Sequence, residues 1–368
     1  MLVFGLLDGR RTVQDIQLEM VRQKKGLFIP SDQILGLINE FDTLFLLDGP
    51  RYRKAKQDLM ADYQGLDTRG AALAGQAYPS EPAALRSFLE AVLNSDSNLA
   101  PAMDARRLCA LAAPHIDMET GKRVYAAGYR AVRDLGPERI VLLGTGHAIE
   151  DGYFSLTDKD FETPFGRVKT DMDWVKALRA AGRGAVCSND FPHRREHSIE
   201  FELLFLQHLF GSGFTAVPIL CGSFQRDLEA ATRPGGIPAV GRFLTALRRL
   251  IRDSREKVLV VAGIDFSHIG LKFGHGQRAG SLLLEARKHD HALIEAACRG
   301  DVEAFWAESR RVGDKYNVCG FSALACLLEA LPEVQGRLLG YEFSQEEPTQ
   351  SAVSYAAIAF THSQVPAG

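Results

Sequence analysis

The stretch KVLVVAGIDFSH, residues 257–268, is an apolar and β-branched run that ends in Asp265, Ser267 and His268. A run without polar alternation is typical of a strand covered on both faces of a sheet. Functional groups of α/β proteins collect where such strands end and loops begin. The stretch therefore predicts a buried central strand with a candidate site just beyond it.

Other segments repeat this apolar pattern along the chain. They cover residues 108–115, 139–146, 184–190, 214–222, 337–343 and 352–360. Amphipathic segments such as FLTALRRLIRD, residues 243–253, lie between them. This alternation predicts an α/β domain whose central sheet is covered by helices on both faces.

Residues 1–65 have a different pattern and are predicted to form a small domain of their own. Thr12 and Asp15 have the spacing of a capping box at a helix start, and residues 31–44 fit a second helix. Residues 44–54, LFLLDGPRYRK, predict two short strands around a hairpin turn. Two helices and a hairpin indicate a winged-helix domain.

The rest of the chain is predicted to contain a linker and one large domain. Residues 66–76 are rich in glycine and alanine, which indicates a linker or a first extended segment of the large domain. The α/β domain then covers residues 77–368.

Composition limits the class of protein and its surroundings. The 368 residues carry a net charge of −3, which gives no broad field for nucleic acid or anionic lipid. No apolar run has the roughly 18 residues that a membrane span needs, and the charges at 8–11 come too early for a signal peptide. The six cysteines form no CxxC pair, as expected for reduced thiols. We therefore expect a cytoplasmic protein without a membrane or nucleic-acid partner.

Histidines recur at the ends of the apolar runs. His115, His147 and His268, three of ten histidines, each follow such a run. A single histidine at a strand end is more often a hydrogen-bonded structural residue than a ligand. Three of them together favour a shared site, because converging imidazoles with a carboxylate or a thiolate form transition-metal sites.

Two further residues are candidates for chemistry. His197 stands between Glu196 and Glu200 at a helix start, where carboxylates would favour imidazolium and an acid–base role. A helix-capping network without chemistry is the alternative. Cys319 lies in NVCG just before an apolar helix, whose N-terminus would lower the pKa of the thiol.

Taken together, these motifs resemble the MEMO family, which includes the AmmeMemoRadiSam system protein B group. The motifs that carry the resemblance are AGQAYPSEPAALRSFL (74–89), APHIDMETG (113–121), LLGTGHA (142–148), TPFGRVKTD (163–171), EHSIEFELLFLQ (196–207), VPILCGSF (217–224), GIDFSHIG (263–270), NVCGFSAL (317–324) and SAVSYAAIAF (351–360). The resemblance implies the fold of class III extradiol dioxygenases, with a central mixed sheet.

The resemblance also implies a site. It assigns the metal ligands to His115, His147 and Cys319, and it places His197, Asp265 and His268 around the metal pocket. We expect His197 or His268 to move protons and Asp265 to orient a ligand imidazole. The chain departs from the family in APHIDMETG and in Ala148, which replaces a second histidine after His147.

A thiolate in place of a carboxylate softens the ligand set, which favours Cu(I) or another thiophilic metal over Fe(II). We expect copper or iron as the cofactor. The first functional hypothesis is accordingly a metal-dependent redox or oxygenase-related protein. The alternatives are a non-catalytic protein that binds a peptide or partner in the same pocket, and an accessory protein of a radical-SAM modification system. Residues 1–65 resemble PqqD-like winged-helix modules, which implies a peptide partner held on an edge strand.

Overall fold

The chain divides into two units, Met1–Gly65 and Leu66–Gly368. The computed structural model describes residues 3–23, 29–95 and 107–363. Each unit has a hydrophobic core of its own. The core of the small unit contains Ile16, Met20 and Ile34, all buried.

The described residues of the small unit form a short 3-10 helix at Phe4–Leu6 and the α-helices α1 (Val13–Gln23), α2 (Ser31–Thr43) and α3 (Pro50–Gln64). The capping box is confirmed, because the Asp15 amide donates to Thr12 Oγ1 at 3.2 Å and the Thr12 amide donates to Asp15 Oδ2 at 2.8 Å. The predicted hairpin is wrong. Pro50 occupies the first turn of α3, where its fixed φ and missing N–H suit a helix start.

The missing hairpin removes the basis for a winged helix. Within residues 3–23 and 29–65 there is no strand, so the edge strand expected to hold a peptide is not present there. Binding of a peptide partner by this unit stays a prediction.

The larger unit is built on one mixed sheet. Its strands are β1 (Thr68–Arg69), β2 (Leu108–Ala113), β3 (Arg139–Thr145), β4 (Phe154–Leu156), β5 (Asp160–Thr163), β6 (Gly166–Thr170), β7 (Thr215–Cys221), β8 (Val258–Gly263), β9 (His268–Gly270), β10 (Val334–Glu346) and β11 (Ser351–His362). They are arranged in the order β1-β5-β6-β7-β3-β8-β2-β11-β10, with β4 beside β7 and β9 beside β11. The central strands β7, β3, β8 and β2 are parallel, whereas β11 and β10 are antiparallel.

Helices cover both faces of this sheet, as the sequence predicts. They are α4 (Pro82–Leu93), α5 (Lys122–Val132), α6 (Met172–Ala181), α7 (His197–Phe210), α8 (Pro238–Arg252), α9 (Ala279–Cys298), α10 (Val302–Val312) and α11 (Phe321–Ala330). Alternate residues of β3 enter two separate cores: Val141 packs with α8 and α11, and Leu142 packs with α5 and α7. None of the helices in the described residues is long and apolar enough to cross a membrane.

Most of the predicted strands are present, with one clear error. The apolar run at 184–190 forms only an isolated bridge between Phe154 and Val186. Gly184, with φ +85°, lies in the turn just before this bridge, and bends follow at residues 188–190. Residues 66–76, predicted as a linker or a first extended segment, contain β1, which pairs with β5 of the sheet.

A buried ion pair fastens β1 to α7. Arg69 is 0% exposed and donates to the Glu200 carboxylate, while its other N–H groups donate to the carbonyls of His193 at 3.0 Å and Glu196 at 2.8 Å. Glu200 also accepts hydrogen bonds from Tyr78 OH and from the amides of residues 72 and 73. Because every buried charge has partners, the cluster holds the start of α7 against the sheet.

Removal of Arg69 tests this cluster. We expect Arg69→Met to lower the free energy of unfolding by about 3–5 kcal/mol, because Glu200 would keep its buried charge without the cation. The measurement is denaturant unfolding followed by circular dichroism. The control is Arg179→Met, which removes the exposed pair with Asp158 at 2.9 Å and should change stability by less than about 1 kcal/mol. Equal losses in the two variants would contradict the assignment.

Candidate metal centre

Three neighbouring parallel strands deliver side chains to one place. His115 follows the end of β2, His147 follows β3, and Asp265 follows β8, which lies between them in the sheet. Parallel strands present their carboxyl ends at the same edge, so these residues meet there. The rings of His115 and His147 are perpendicular, with centroids 5.3 Å apart.

The first turn of α7 lies directly on these strand ends. Gly144 and Gly263 make this close approach possible: a Cβ at Gly144 would lie 2.7 Å from Ser198 Oγ, and one at Gly263 would lie 2.2 Å from the Ser198 carbonyl oxygen. The helix therefore brings His197 next to the strand ends, where its ring stacks on His147 with centroids 5.0 Å apart. We call the space between His115, His147, His197 and Asp265 the cleft.

The loop before α11 completes the donor set with Cys319. Its Sγ lies 3.4 Å from His115 Nε2, and one donor atom each from His115, His147 and Cys319 lie within 4.8 Å of one another. A tetrahedral ion at ordinary bond lengths, about 2.0 Å to nitrogen and about 2.3 Å to sulfur, separates two such ligands by about 3.5 Å. The residues present thus fit a metal ion. His115 is buried, whereas 40% of the His147 side chain is exposed, so the centre opens to solvent.

Glu196 organises the two exposed imidazoles. Its buried carboxylate accepts from the amides of His197 at 2.9 Å, Ser198 at 3.1 Å and His147 at 3.1 Å, and so caps α7. The same carboxylate lies 3.1 Å from Nδ1 of both His147 and His197. Contact through Nδ1 leaves Nε2 of each ring available to a ligand or a proton.

The charges in this group shift each other's pKa. Burial opposes ionisation of Glu196, but its hydrogen bonds with His147 and His197 and their positive charge hold its pKa well below the usual range. Burial likewise opposes protonation of His147, but the hydrogen bond and charge of Glu196 raise its pKa. Protonated His147 therefore stabilises the fold at pH below its unfolded pKa, and this contribution is lost as the pH rises through the folded pKa.

The expectation of a lowered thiol pKa at Cys319 is wrong. Burial and the neighbouring Asp265 raise the pKa of the thiol well above its ordinary value, which outweighs the start of α11. Without a metal ion the residue is a neutral thiol. A coordinated metal ion removes the proton of a thiol ligand, so the finding is compatible with a thiolate site.

Asp265 and His268 lie beside Cys319 in the same cluster, with one donor atom of each within 4.8 Å of the others. The Asp265 carboxylate accepts from the His115 backbone amide at 3.2 Å and lies 3.7 Å from His115 Nε2, and its role in orienting that imidazole stays a prediction. Burial raises the pKa of Asp265 to about 7. Burial lowers the pKa of His268 to about 4, and His268 Nδ1 contacts the Phe266 carbonyl at 3.0 Å.

All six residues predicted for the site lie in this region, and sequence reasoning missed the role of one neighbour. Glu196 is the carboxylate that contacts Nδ1 of His147, a role that we did not predict. Glu200, expected to flank His197, instead accepts hydrogen bonds from Arg69 and Tyr78. Glu196 has the sequence signal of an acidic residue directly before a helix, the usual position of a cap.

Comparisons with known proteins agree with the resemblance. The sequence profile of the family described as "Memo-like protein" matches residues 69–359. The chain is 27% identical to a MEMO1 family protein of Aquifex aeolicus over 358 residues, which are 97% of this chain and 90% of the relative. It is 29% identical to a MEMO1 family protein of Thermus thermophilus, over 93% of this chain and 97% of the relative.

A third relative differs in extent. The chain is 30% identical to a MEMO1 family protein of Methanopyrus kandleri over 307 residues, which are 98% of the relative but 79% of this chain. This relative is accordingly about as long as the larger unit alone. The range matched by the Memo-like family, residues 69–359, lies within the larger unit.

The pKa of His147 tests the role of Glu196. In metal-free Glu196→Gln protein we expect His147 to titrate at lower pH than in the wild type, because the carboxylate that favours imidazolium is gone. NMR titration of the imidazole protons measures this. His208, whose pKa is lowered by burial at the far end of α7, is the internal control and should not move. An unchanged His147 titration would contradict the assignment.

Proposed function

The chain belongs to the Memo-like protein family, and we propose that His115, His147 and Cys319 bind one thiophilic metal ion, copper in preference to iron. The observation that carries the proposal is the convergence of two imidazoles and a thiol within 4.8 Å at the carboxyl ends of parallel strands. Sulfur and imidazole donors together suit Cu(I), whereas harder ions prefer ligand sets rich in oxygen.

The neighbouring side chains support the donor set. Glu196 fixes the ring of His147 through Nδ1 and leaves Nε2 to bind the ion. An outer carboxylate of this kind fixes the tautomer of a ligand imidazole and strengthens it as a donor. The backbone of His115 is fixed because its amide donates a hydrogen bond to the Asp265 carboxylate.

Proton handling is assigned to the residues around the donors. A bound copper ion would supply one-electron redox chemistry to the cleft. Asp265, with a pKa of about 7 before metal is bound, can hold or release a proton near neutral pH. His197, whose side chain is 36% exposed, connects the cleft with solvent, and His268 is the second candidate proton carrier, with a donor atom within 4.8 Å of Cys319 Sγ.

Metal binding is common to a redox enzyme and to a non-catalytic metal or partner carrier. Oxygen consumption by the copper-loaded protein with a thiol or a catechol separates the two. Turnover that is lost in His197→Ala supports the enzyme, and a stable copper complex without turnover supports the carrier. The six free cysteines agree with a reducing setting, in which Cu(I) is stable.

Loss of a ligand is the direct test of the site. We expect the wild type to bind one Cu(I) ion per chain, measured anaerobically by competition with a Cu(I) chelator. Cys319→Ala and His147→Ala should weaken binding by more than the roughly 10–100-fold that loss of an outer partner costs, and Glu196→Gln should fall within that range.

The matched control for the thiol is Cys187→Ala. Cys187 is also half-buried, but its Sγ donates to the Asp151 carbonyl oxygen at 2.8 Å and is not among the clustered donors. This variant should bind Cu(I) as the wild type does. Wild-type affinity in Cys319→Ala, or equal losses in the two cysteine variants, would refute the proposal.

A further inference from the structure

Asp290 forms a second buried polar cluster outside the donor set. The residue lies in α9 and is 0% exposed. Its carboxylate accepts hydrogen bonds from three hydroxyl groups: Ser267 Oγ at 2.6 Å, Ser354 Oγ at 2.6 Å and Tyr341 OH at 2.8 Å. A buried carboxyl group is costly unless such bonds satisfy it, so the three donors and Asp290 are expected to keep one geometry.

These donors come from three separate segments. Ser267 belongs to the turn between β8 and β9, Tyr341 belongs to β10, and Ser354 belongs to β11. Ser354 Oγ also accepts from the Ser267 amide at 2.8 Å. Asp290 therefore fixes the turn at residues 264–267 against α9 and against the antiparallel strands of the sheet.

The turn at 264–267 is also hydrogen-bonded to the loop that carries Cys319. The Gly320 amide donates to the Asp265 carbonyl oxygen at 2.9 Å, and the His268 amide donates to the Tyr316 carbonyl oxygen at 2.8 Å. A Cβ at Gly320 would lie 2.5 Å from Ile264 Cβ, so turn and loop are in close contact. A displacement of the turn must consequently move Cys319.

We propose that Asp290 is a positioning residue of the metal centre, which sets the place of Cys319 relative to His115 through Ser267 and the turn at 264–267. Asp290 reaches no donor atom itself; its effect passes through Ser267 and the backbone of Asp265. The consequence for metal affinity rests on the proposed function. The consequence for the position of Cys319 does not, because it follows from contacts within the protein alone.

Two measurements on the full-length Asp290→Asn protein test this. The first is the rate at which iodoacetamide alkylates Cys319 in metal-free protein, determined by mass spectrometry with Cys187 as the internal reference. We expect Cys319 to react several-fold faster relative to Cys187 than in the wild type. The second is Cu(I) affinity by chelator competition, which we expect to fall about 10–100-fold, as for loss of an outer partner.

Two further variants complete the design. Tyr341→Phe removes one donor, leaves both serines, and should shift both measurements in the same direction by less; it also serves if Asp290→Asn fails to fold. Asp171→Asn removes a carboxylate whose side chain is 10% exposed and which pairs with Arg139 at 2.8 Å. Arg139 begins β3, at the opposite end from the cleft, so this control should leave both measurements unchanged.

The outcomes separate the two proposals. Wild-type alkylation and affinity in Asp290→Asn and Tyr341→Phe, even with a lower melting temperature, would overturn the positioning role and leave Asp290 as a stabilising residue only. If the wild type binds no Cu(I), the proposed function fails. Faster alkylation of Cys319 in Asp290→Asn would still support the positioning role in that case.

Discussion

A single buried carboxylate, that of Glu196, connects the fold to the site. It accepts the first amides of α7 and the amide of His147, and it faces Nδ1 of both His147 and His197. Capping a helix and orienting two imidazoles require the same negative charge at the same point. The carboxylate stays ionised because these donors outweigh the cost of its burial. If its charge were lost, the start of α7 and the outer wall of the cleft would lose their common support.

The sheet provides the inner wall. His115 and Asp265 follow adjacent parallel strands, and glycines at 144 and 263 leave room for α7 to rest on the strand ends. The side of the cleft nearest α9 depends on other contacts. Hydroxyl groups donate to the Asp290 carboxylate, and backbone hydrogen bonds connect the turn at 264–267 with the loop of Cys319. Glu196 thus supports the exposed imidazole of His147, and we propose that Asp290 supports the half-buried thiol of Cys319. Such support by packed and hydrogen-bonded neighbours keeps a donor set in place before the ligand arrives.

Much of this arrangement could be predicted from the sequence, because its causes are local. Continuous apolar runs predicted the strands that deliver His115, His147 and Asp265. The errors arose where local signals compete. The run at 184–190 is apolar enough for a strand, but it begins in a glycine turn, ends in bends and pairs through one isolated bridge alone. The turn signal at Asp48-Gly49-Pro50 predicted a hairpin, whereas proline begins α3. The raised pKa of Cys319 could not be predicted. Its causes are burial and the nearby charge of Asp265, which a sequence does not show, and together they outweigh the effect of the helix N-terminus.

The central claim is that Cys319 and two histidines of this cleft bind one metal ion. X-ray absorption spectroscopy of the Cu(I)-loaded wild-type protein tests it most directly, because it identifies the atoms bound to the metal without altering any residue. We expect one sulfur at a thiolate distance and two imidazole nitrogens with their characteristic outer-shell scattering. A spectrum with nitrogen and oxygen alone, or with two or more sulfurs, would contradict it.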